Sequence, residues 1–494
     1  MPLHLYNTLS GSIEEFRPLR GNEVRMYACG PTVYDFGHIG NFRTFIAVDL
    51  LNRFLRQSGY DVNYVMNITD VDDKIIRNAA RDGVSVKQYT APYDKAFQED
   101  CDLLNIRRPE AMPHATDYID GMATFVADLE RKGYAYRTDD GSYYFRIAKF
   151  ADYGKLSKRD FAGMTDGARV DVDEYEKDSA RDFALWKAPK AGEASWETAI
   201  GPGRPGWHLE CSVMSMAALG ETLDVHAGGE DLMFPHHENE IAQSEAQTGK
   251  PFAKYWMHAR FLLVEGEKMS KSLGNFYTPR DLVLKGYKPS SIRYLLTSVP
   301  YRNQLNFTFD GLRQAAASVE RLRTFRQRLN EGSFPDGENS ELRKLAEETS
   351  ARMRAALEDD LNTAQAQAAI FEMVRAANVA MDGGQMHKAN TVPFLTVLNQ
   401  FDEIFAVLND DDAAKVRGVV KWAKTSGRTD ISPEALAAAG ALGPSDEEVE
   451  AKLSEMKRAR KAKDFAASDK LRDELAAAGI VVEITKDGIR WKRK

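Results

Sequence analysis

The apolar positions change period twice between residues 23 and 66. In EVRMYACG (23–30), Val24, Met26 and Ala28 alternate with charged or polar neighbours, which predicts a strand stopped by Gly30-Pro31. NFRTFIAVDLLNRFLRQSGY then carries apolar residues at helical spacing and runs out at Gly59, a helix stop. DVNYVMNITDVDDKI predicts a second strand followed by an acidic turn. Strand, loop, helix and strand in this order form a βαβ unit, so the expected class is α/β with a Rossmann-like parallel sheet. Such sheets bind ligands at the C-terminal ends of their strands, where Cys29, His38 and Thr69 would fall.

Residues from about 71 to 200 read as an inserted connective segment that mixes helical pattern with a hairpin, GYAYRTDDGSYYF, turned at Asp140-Gly141. TLDVHAGGEDLMFPHHENEIAQSEAQTG returns to strand, loop and helix. The α/β domain is therefore expected over 1–325. A helical bundle rich in Ala, Arg and Glu follows over 326–430, with TSGRTDISPEALAAAGALGPSDEEVE as a turn-rich linker. The final stretch reads helix, helix, hairpin, a small α+β domain over 445–494. No internal repeat is present.

Bulk composition narrows the class. Hydrophobic content of 43% and charged content of 28% are those of an ordinary globular protein. The start, MPLHLYNTLSGSIEEF, lacks the basic and apolar regions of a signal peptide, and no run reaches the roughly 18 apolar residues of a membrane span. With only three cysteines the chain has no disulfide framework, and reducing cytoplasm is the expected compartment. A spaced cysteine is then a ligand or a nucleophile. The net charge of −8 argues against a chain coated in nucleic acid, yet Ala451–Lys494 holds thirteen Lys or Arg against seven Asp or Glu, a local basic face.

Two constellations carry chemistry. GWHLECSVMSM supplies Cys211, and FPHHENE supplies His236, His237, Glu238 and Glu240. His236 and Glu240 stand four apart on one helical face and could converge on a cation, and Cys29 and Cys211 would complete a soft, mixed set suited to zinc. The same residues also read as two buried reduced cysteines beside a polar helix, because His-x-x-x-Glu is a loose pattern. The second constellation suits phosphate. GHIGNF lies between strand and helix, where backbone N–H groups and the helix dipole favour an anion. His38 can donate to a phosphoryl oxygen, and Gly40 admits a flat ring close to the backbone. In GEKMSKSLGN, Lys268 and Lys271 form a mobile cationic clamp between Gly266 and Gly274. Each element alone reads as an ordinary turn or a solvated loop; both together, around a βαβ core, point to nucleotide chemistry.

HIGN and KMSKS resemble the two signature motifs of class I aminoacyl-tRNA synthetases. CGPTVYD, MNITDVDDKI, GRPGWHLECSVMS, HAGGEDLMFPHHENEIAQSEA and KMSKSLGNF are similar to the cysteinyl-tRNA synthetase set, and RARKAKDFAASDKLRDELAAAGIVVEITKDGIRW to that family's C-terminal end. The likeness runs from the N-terminus to Trp491. In one departure, Asn41 stands where the first signature closes on a second histidine; asparagine can donate to a phosphate oxygen but carries no charge.

The resemblance implies a cysteine–tRNA ligase. ATP with Mg²⁺ would activate L-cysteine to cysteinyl-adenylate and pyrophosphate, and tRNA(Cys) would take the cysteinyl group at its 3′ end. It implies one zinc ion per chain, held by Cys29, Cys211, His236 and Glu240, that binds the substrate thiolate and selects against serine. Spacing does not choose between His236 and His237; the family pattern favours His236. Cys29, Gly30, Thr69, Trp207 and His226 would form the cysteine site. His38, Gly40, Asn41, Gly228, Gly229, Asp231, Lys268 and Lys271 would bind ATP, with His38, Asn41, Lys268 and Lys271 acting on transition-state charge. Residues 265–325 would hold the lysine loop and a stem-contact region, and 445–494 the anticodon-binding domain, where Trp491 beside Arg490 would stack on an unpaired base. A cytoplasmic monomer with no membrane partner is expected. The rival is a ligase joining activated cysteine to an amino sugar, as in mycothiol synthesis, whose similar core lacks the basic C-terminal end.

Overall fold

The computed structural model describes residues 2–158, 182–190, 192–440, 446–462, 464–478, 480–485 and 488–493. Its central element is a four-stranded parallel sheet. Strand β1 (Glu23–Ala28) leads through helix α1 (Ile39–Gln57) to strand β2 (Asp61–Met66), the predicted βαβ unit. Helix α2 (Trp207–Leu219), strand β3 (Leu223–Gly229), helix α3 (Glu238–Thr248) and strand β4 (Ala253–Ala259) complete it. The strand order is β4-β3-β1-β2, with Tyr27 opposite His226 and Ala28 opposite Ala227. The chain runs outward from β1 to β2 in one direction and from β3 to β4 in the other. The switch point therefore lies between β1 and β3, and their C-terminal ends bound the crevice where such sheets take ligands.

The alternation expected in β1 is only half of its environment. Arg25 and Tyr27 are buried along with Val24, Met26 and Ala28, because the parallel sheet is covered on both faces. Arg25 donates from Nη1 to the Leu219 carbonyl at 3.1 Å and is paired in charge with Asp224, whose Oδ2 lies 3.7 Å from its Nε. Helix α1 begins two residues before the expected Asn41, since His38 and Asn41 form a capping box that satisfies its first N–H groups.

The inserted segment follows β2. It contains helices Asp73–Asp82, Val86–Leu103 and Ile119–Arg131 and an antiparallel sheet of Ala135–Arg137, Tyr143–Phe145, Phe183–Lys187 and Arg204–Pro205. The hairpin turns at Gly141, whose φ of 94° suits glycine. Its sheet closes at Pro205, a few residues past the expected boundary, and packs a core around Met122, Val126, Phe145 and Trp186 that reaches Leu209 on α2. Residues 159–181 of this segment lie outside the described residues.

Contacts divide the chain into two units: residues 1–279 with 290–408, and residues 280–289 with 409–494. The first unit takes in helices Phe309–Glu331, Ser340–Glu358, Thr363–Asp382 and Lys388–Phe405. Its helical part is joined to α1 by a fully buried ion pair. Arg293 Nη2 lies 2.6 Å from Asp49 Oδ2, while Arg293 Nε donates to the Phe405 carbonyl at 2.6 Å and Nη1 to Leu104 at 2.9 Å. Removing one member strands the other charge in the core, which costs about 3–5 kcal/mol. Asp49→Ala is therefore expected to lower unfolding stability by about that amount, read from urea titration; a loss below ~1 kcal/mol would deny this pair its structural role.

In the second unit, helix Asp412–Thr425 is followed by Pro433–Gly440. The latter lies inside the stretch expected as a linker: Pro433 suits a first helical position, and the alanines after it sustain the turn. Helices Asp446–Lys461 and Phe465–Ala477 and the hairpin Ile480–Thr485/Gly488–Arg493 match the predicted helix, helix, hairpin. They share a core of Val449, Leu453, Met456, Leu475 and Ile480. No described helix is long and apolar enough to cross a membrane.

Candidate functional site

Cys29 leaves the end of β1 into the crevice, its N–H donating to the Ala227 carbonyl of β3 at 3.1 Å. The next residues zip against the segment after β2: Thr69 N–H donates to Pro31 O, and Val33 N–H to Thr69 O, each at 3.0 Å. Gly30 is required there, because a Cβ would sit 1.7 Å from the Asn67 carbonyl oxygen. Asn67 was not singled out by the sequence and holds this corner together. Its Oδ1 accepts Gly30 N–H at 2.8 Å and lies 3.7 Å from Cys211 Sγ, while its Nδ2 donates to Thr69 Oγ1 at 3.0 Å. Thr69 Oγ1 in turn donates to the buried Glu210 at 3.1 Å.

Against Cys29 stand Cys211 from α2 and Glu240 from α3, with His236 one turn before Glu240. The sulfurs of Cys29 and Cys211 are 3.7 Å apart, Cys29 Sγ lies 3.6 Å from Glu240 Oε1, and His236 Nε2 lies 2.8 Å from the same oxygen. These four groups are buried and offer ligand atoms that all lie within 4.8 Å of one another. The sulfur separation matches the roughly 3.8 Å edge of a tetrahedron with Zn–S bonds of about 2.3 Å, so the donor set fits a zinc ion in size and in softness. A second set shares Cys29 and Glu240 but takes His226 and His237, whose Nε2 is 3.3 Å from Cys29 Sγ. The first set, with two thiols, is the softer one. Glu238 points elsewhere, accepting Gly154 N–H at 2.9 Å and Ser157 N–H at 2.7 Å.

A ring of histidines backs the cluster. His226 Nε2 lies 2.6 Å from Glu240 Oε2, so His226 stands behind the carboxylate with its ring stacked on Trp256. His208 Nδ1 meets His236 Nδ1 at 2.9 Å, and His237 Nδ1 meets His258 Nε2 at 2.8 Å. Sequence reasoning passed over His208 and His258. His208 did carry a signal, since it stands three residues before Cys211 on one helical face; His258 did not. The exposed Trp207 stacks on His236, ring centres 4.3 Å apart, at the mouth of the cluster.

The electrostatics follow from burial and from these neighbours. Burial pushes the Cys29 thiol well up, whereas the hydrogen bond from Cys29 holds Cys211 down, to about 6. Burial opposes charge on His236, yet Glu240 and Cys211 overcome it and raise this histidine to about 10. Burial likewise opposes charge on Glu240, and His226 and His236 bring it well below the usual carboxylate range. Burial depresses His208 and His237 well below the ordinary histidine value.

The phosphate side opens from the same strand end. His38 caps α1, its Nδ1 accepting the Asn41 N–H at 3.2 Å while Asn41 Oδ1 accepts the His38 N–H at 3.1 Å. Burial, and then the nearby Lys271, lower His38 to about 4. It is therefore neutral at pH 7 with its proton on Nε2, the tautomer that can donate to an anion. Asn41 spends its oxygen on the cap and keeps its amide N–H₂ as donor. Gly40 lies close under this ring: a Cβ would be 2.9 Å from His38 Nδ1 and 3.1 Å from Met269. At the end of β3, a Cβ on Gly228 would meet His237 at 2.7 Å and one on Gly229 would meet Asp231 at 2.4 Å. The lysine loop follows strand Leu262–Val264, and Lys271 pairs with Asp35.

Trp491 packs against the core of the C-terminal domain and donates from Nε1 to Glu450 at 2.7 Å. Arg490 belongs to the last strand, and its side chain lies outside the described residues.

Comparison with known proteins agrees along the whole chain. The family profile for the class I (C) tRNA synthetase catalytic domain matches residues 15–317, a DALR domain matches 352–409, and the cysteinyl-tRNA ligase anticodon binding domain matches 445–491. The cysteine–tRNA ligase of Koribacter versatilis is 65% identical over 495 residues, covering 100% of both chains. That of Solibacter usitatus is 55% identical over 494 residues, again covering 100% of both. Among solved structures, Mycobacterium tuberculosis methionyl-tRNA synthetase in complex with methionyl-adenylate superposes with a TM-score of 0.57 at 17% identity, over 86% of this chain and 95% of that one. Since the catalytic profile covers more than half of the residues and the relatives match end to end, the chain belongs to the cysteinyl-tRNA synthetases, ATP-dependent cysteine–tRNA ligases of class I.

Proposed function

We propose that the crevice between β1 and β3 activates L-cysteine with ATP and passes it to tRNA(Cys), with Cys29, Cys211, His236 and Glu240 as the ligands of one zinc ion. The observation that carries this reading is the convergence of those four donors one loop away from the His38 turn. Zinc held there would bind the thiolate of cysteine and leave serine, whose hydroxyl is a poor ligand, at a disadvantage that pocket shape alone does not provide. Trp207 covers the pocket mouth, and the Asn67–Thr69–Glu210 chain orients its wall. His226, fully buried, holds Glu240 from within the same cluster and lines the cysteine site.

ATP enters as its Mg²⁺ complex over the α1 N-terminus. His38 Nε2–H and the Asn41 amide donate to its phosphates, and Gly228, Gly229 and Asp231 cradle the adenosine. The cysteine carboxylate, already ionised, attacks the α-phosphorus; the bond to the β-phosphate breaks and pyrophosphate leaves. Lys268 and Lys271 stabilise charge as it builds on the phosphates. A terminal ribose hydroxyl of the tRNA then takes the cysteinyl group and AMP departs. The basic C-terminal domain serves the anticodon through phosphate contacts. Trp491 packs against the core of this domain and is bonded to Glu450, which fixes the orientation of the ring offered to a base. We further propose that the enzyme acts as a cytoplasmic monomer.

The match of residues 445–491 to an anticodon-binding domain supports the tRNA reading over the amino-sugar ligase. Truncation after residue 440 tests it. Since the C-terminal helices and hairpin have a core of their own, their removal should leave cysteine-dependent pyrophosphate exchange near normal. Charging of total tRNA should fall steeply, and tRNA binding should lose part of its salt dependence. Equal charging by both forms would remove the anticodon role.

A further inference from the structure

The lysine loop is tied to the body of the protein by a contact that the reaction described above does not use. Asp35 lies three residues before His38 and is fixed by its own backbone, Oδ1 accepting the Phe36 N–H at 2.8 Å. Its Oδ2 pairs with Lys271 Nζ. The same ammonium lies 5.1 Å over the ring of Phe276, and that ring meets His38 edge-on at 4.9 Å. At its base Lys268 pairs with Leu263 of the preceding strand; within the loop, Ser270 N–H donates to Asn275 Oδ1 at 2.8 Å, and Asn275 Nδ2 to the Lys268 carbonyl at 3.2 Å. The Leu273 side chain is exposed. The loop thus sits beside the His38–Gly40 turn with its second lysine already facing a carboxylate.

We propose that Asp35 is a positioning residue that parks Lys271 beside the ATP site and releases it to the triphosphate when ATP enters. The proposal rests on the phosphate role assigned to Lys271. An exposed single ion pair shifts an equilibrium by no more than about fivefold, enough to bias where a loop rests. It is also weak enough to yield to a polyanion, to which a lysine binds as a point charge. Parking has a cost: every ATP molecule must displace Asp35 before it gains Lys271, so the carboxylate lowers ATP affinity in proportion to its hold on the lysine.

A thermodynamic cycle on the full-length enzyme tests this, with ATP alone as the probe. Asp35→Asn should bind ATP about two- to fivefold more tightly, and its loop should be cut faster by trypsin at Lys271 when ATP is absent. Asp35→Glu, which keeps the charge, should restore both properties towards wild type. In a Lys271→Ala background, Asp35→Asn should leave ATP affinity unchanged. Weaker ATP binding by Asp35→Asn, unchanged trypsin cleavage, or equal tightening in the Lys271→Ala background would each overturn the parking role. The underlying phosphate role is read separately: wild-type pyrophosphate exchange by Lys271→Ala would remove that role, whatever the binding cycle shows.

Discussion

Lys271→Ala is expected to slow cysteine-dependent pyrophosphate exchange by about 10²–10³-fold, the usual loss of roughly 2.7–4 kcal/mol when one preorganised donor to transition-state charge is removed. The lysine stands by Asp35 and Phe276, whereas the cluster proposed to bind zinc and the substrate sulfur is built from β1, α2 and α3. Its loss should therefore lower kcat for adenylate formation and leave the KM for cysteine nearly unchanged, the pattern of an interaction made mainly in the transition state. Burial, and then Lys271, lower His38 to about 4, so a neutral imidazole cannot substitute for the missing positive charge. Wild-type exchange by the mutant would show that the loop does not act on the phosphates.

Cys211→Ser should have the other large effect, on the opposite side of the site. A hydroxyl in place of a thiolate leaves three good donors, and loss of even an outer-shell partner typically costs 10–100-fold in metal affinity. Loss of a ligand should exceed about 100-fold, so the purified variant is expected to lack stoichiometric zinc by elemental analysis. The KM for cysteine should rise, and the preference for cysteine over serine should shrink, because shape alone separates two near-isosteric side chains poorly. Asn67 and Trp207 remain, so a folded but unselective pocket is the expected product. Retention of one zinc with an unchanged KM would remove Cys211 from the ligand set.

These two variants fall on features of different legibility. HIGN and KMSKSLGN are contiguous, and their chemistry depends on local backbone: a glycine turn before a helix and a loop between two glycines. Periodicity likewise sufficed for α1 and the Asp140-Gly141 hairpin, whose hydrogen bonds are local; it also marked β1 and β2 as strands, although their partners in the parallel sheet lie far along the chain. Cys29 and Cys211 are separated by 182 residues, and nothing local links them. The family likeness joined them, and the geometry is consistent with it.

Other features depend on how distant segments pack. Alternation in β1 suggested one wet face, but helices cover both sides of the sheet and bury Arg25 and Tyr27. The Arg293–Asp49 pair and the Lys271–Asp35 contact join residues 244 and 236 positions apart, with no spacing rule to announce them. His226 matched the family's cysteine pocket, and only the packing of β3 against α3 brings its Nε2 to 2.6 Å from Glu240 Oε2. Adjacent His236 and His237 could not be told apart by spacing, because the chain turns sharply just before α3 and aims both rings at Cys29 and its partners. Residue types and short periods specify elements and motif chemistry; which side chains meet, and from which side, follows from the order of strands in the sheet and from the layers packed against it.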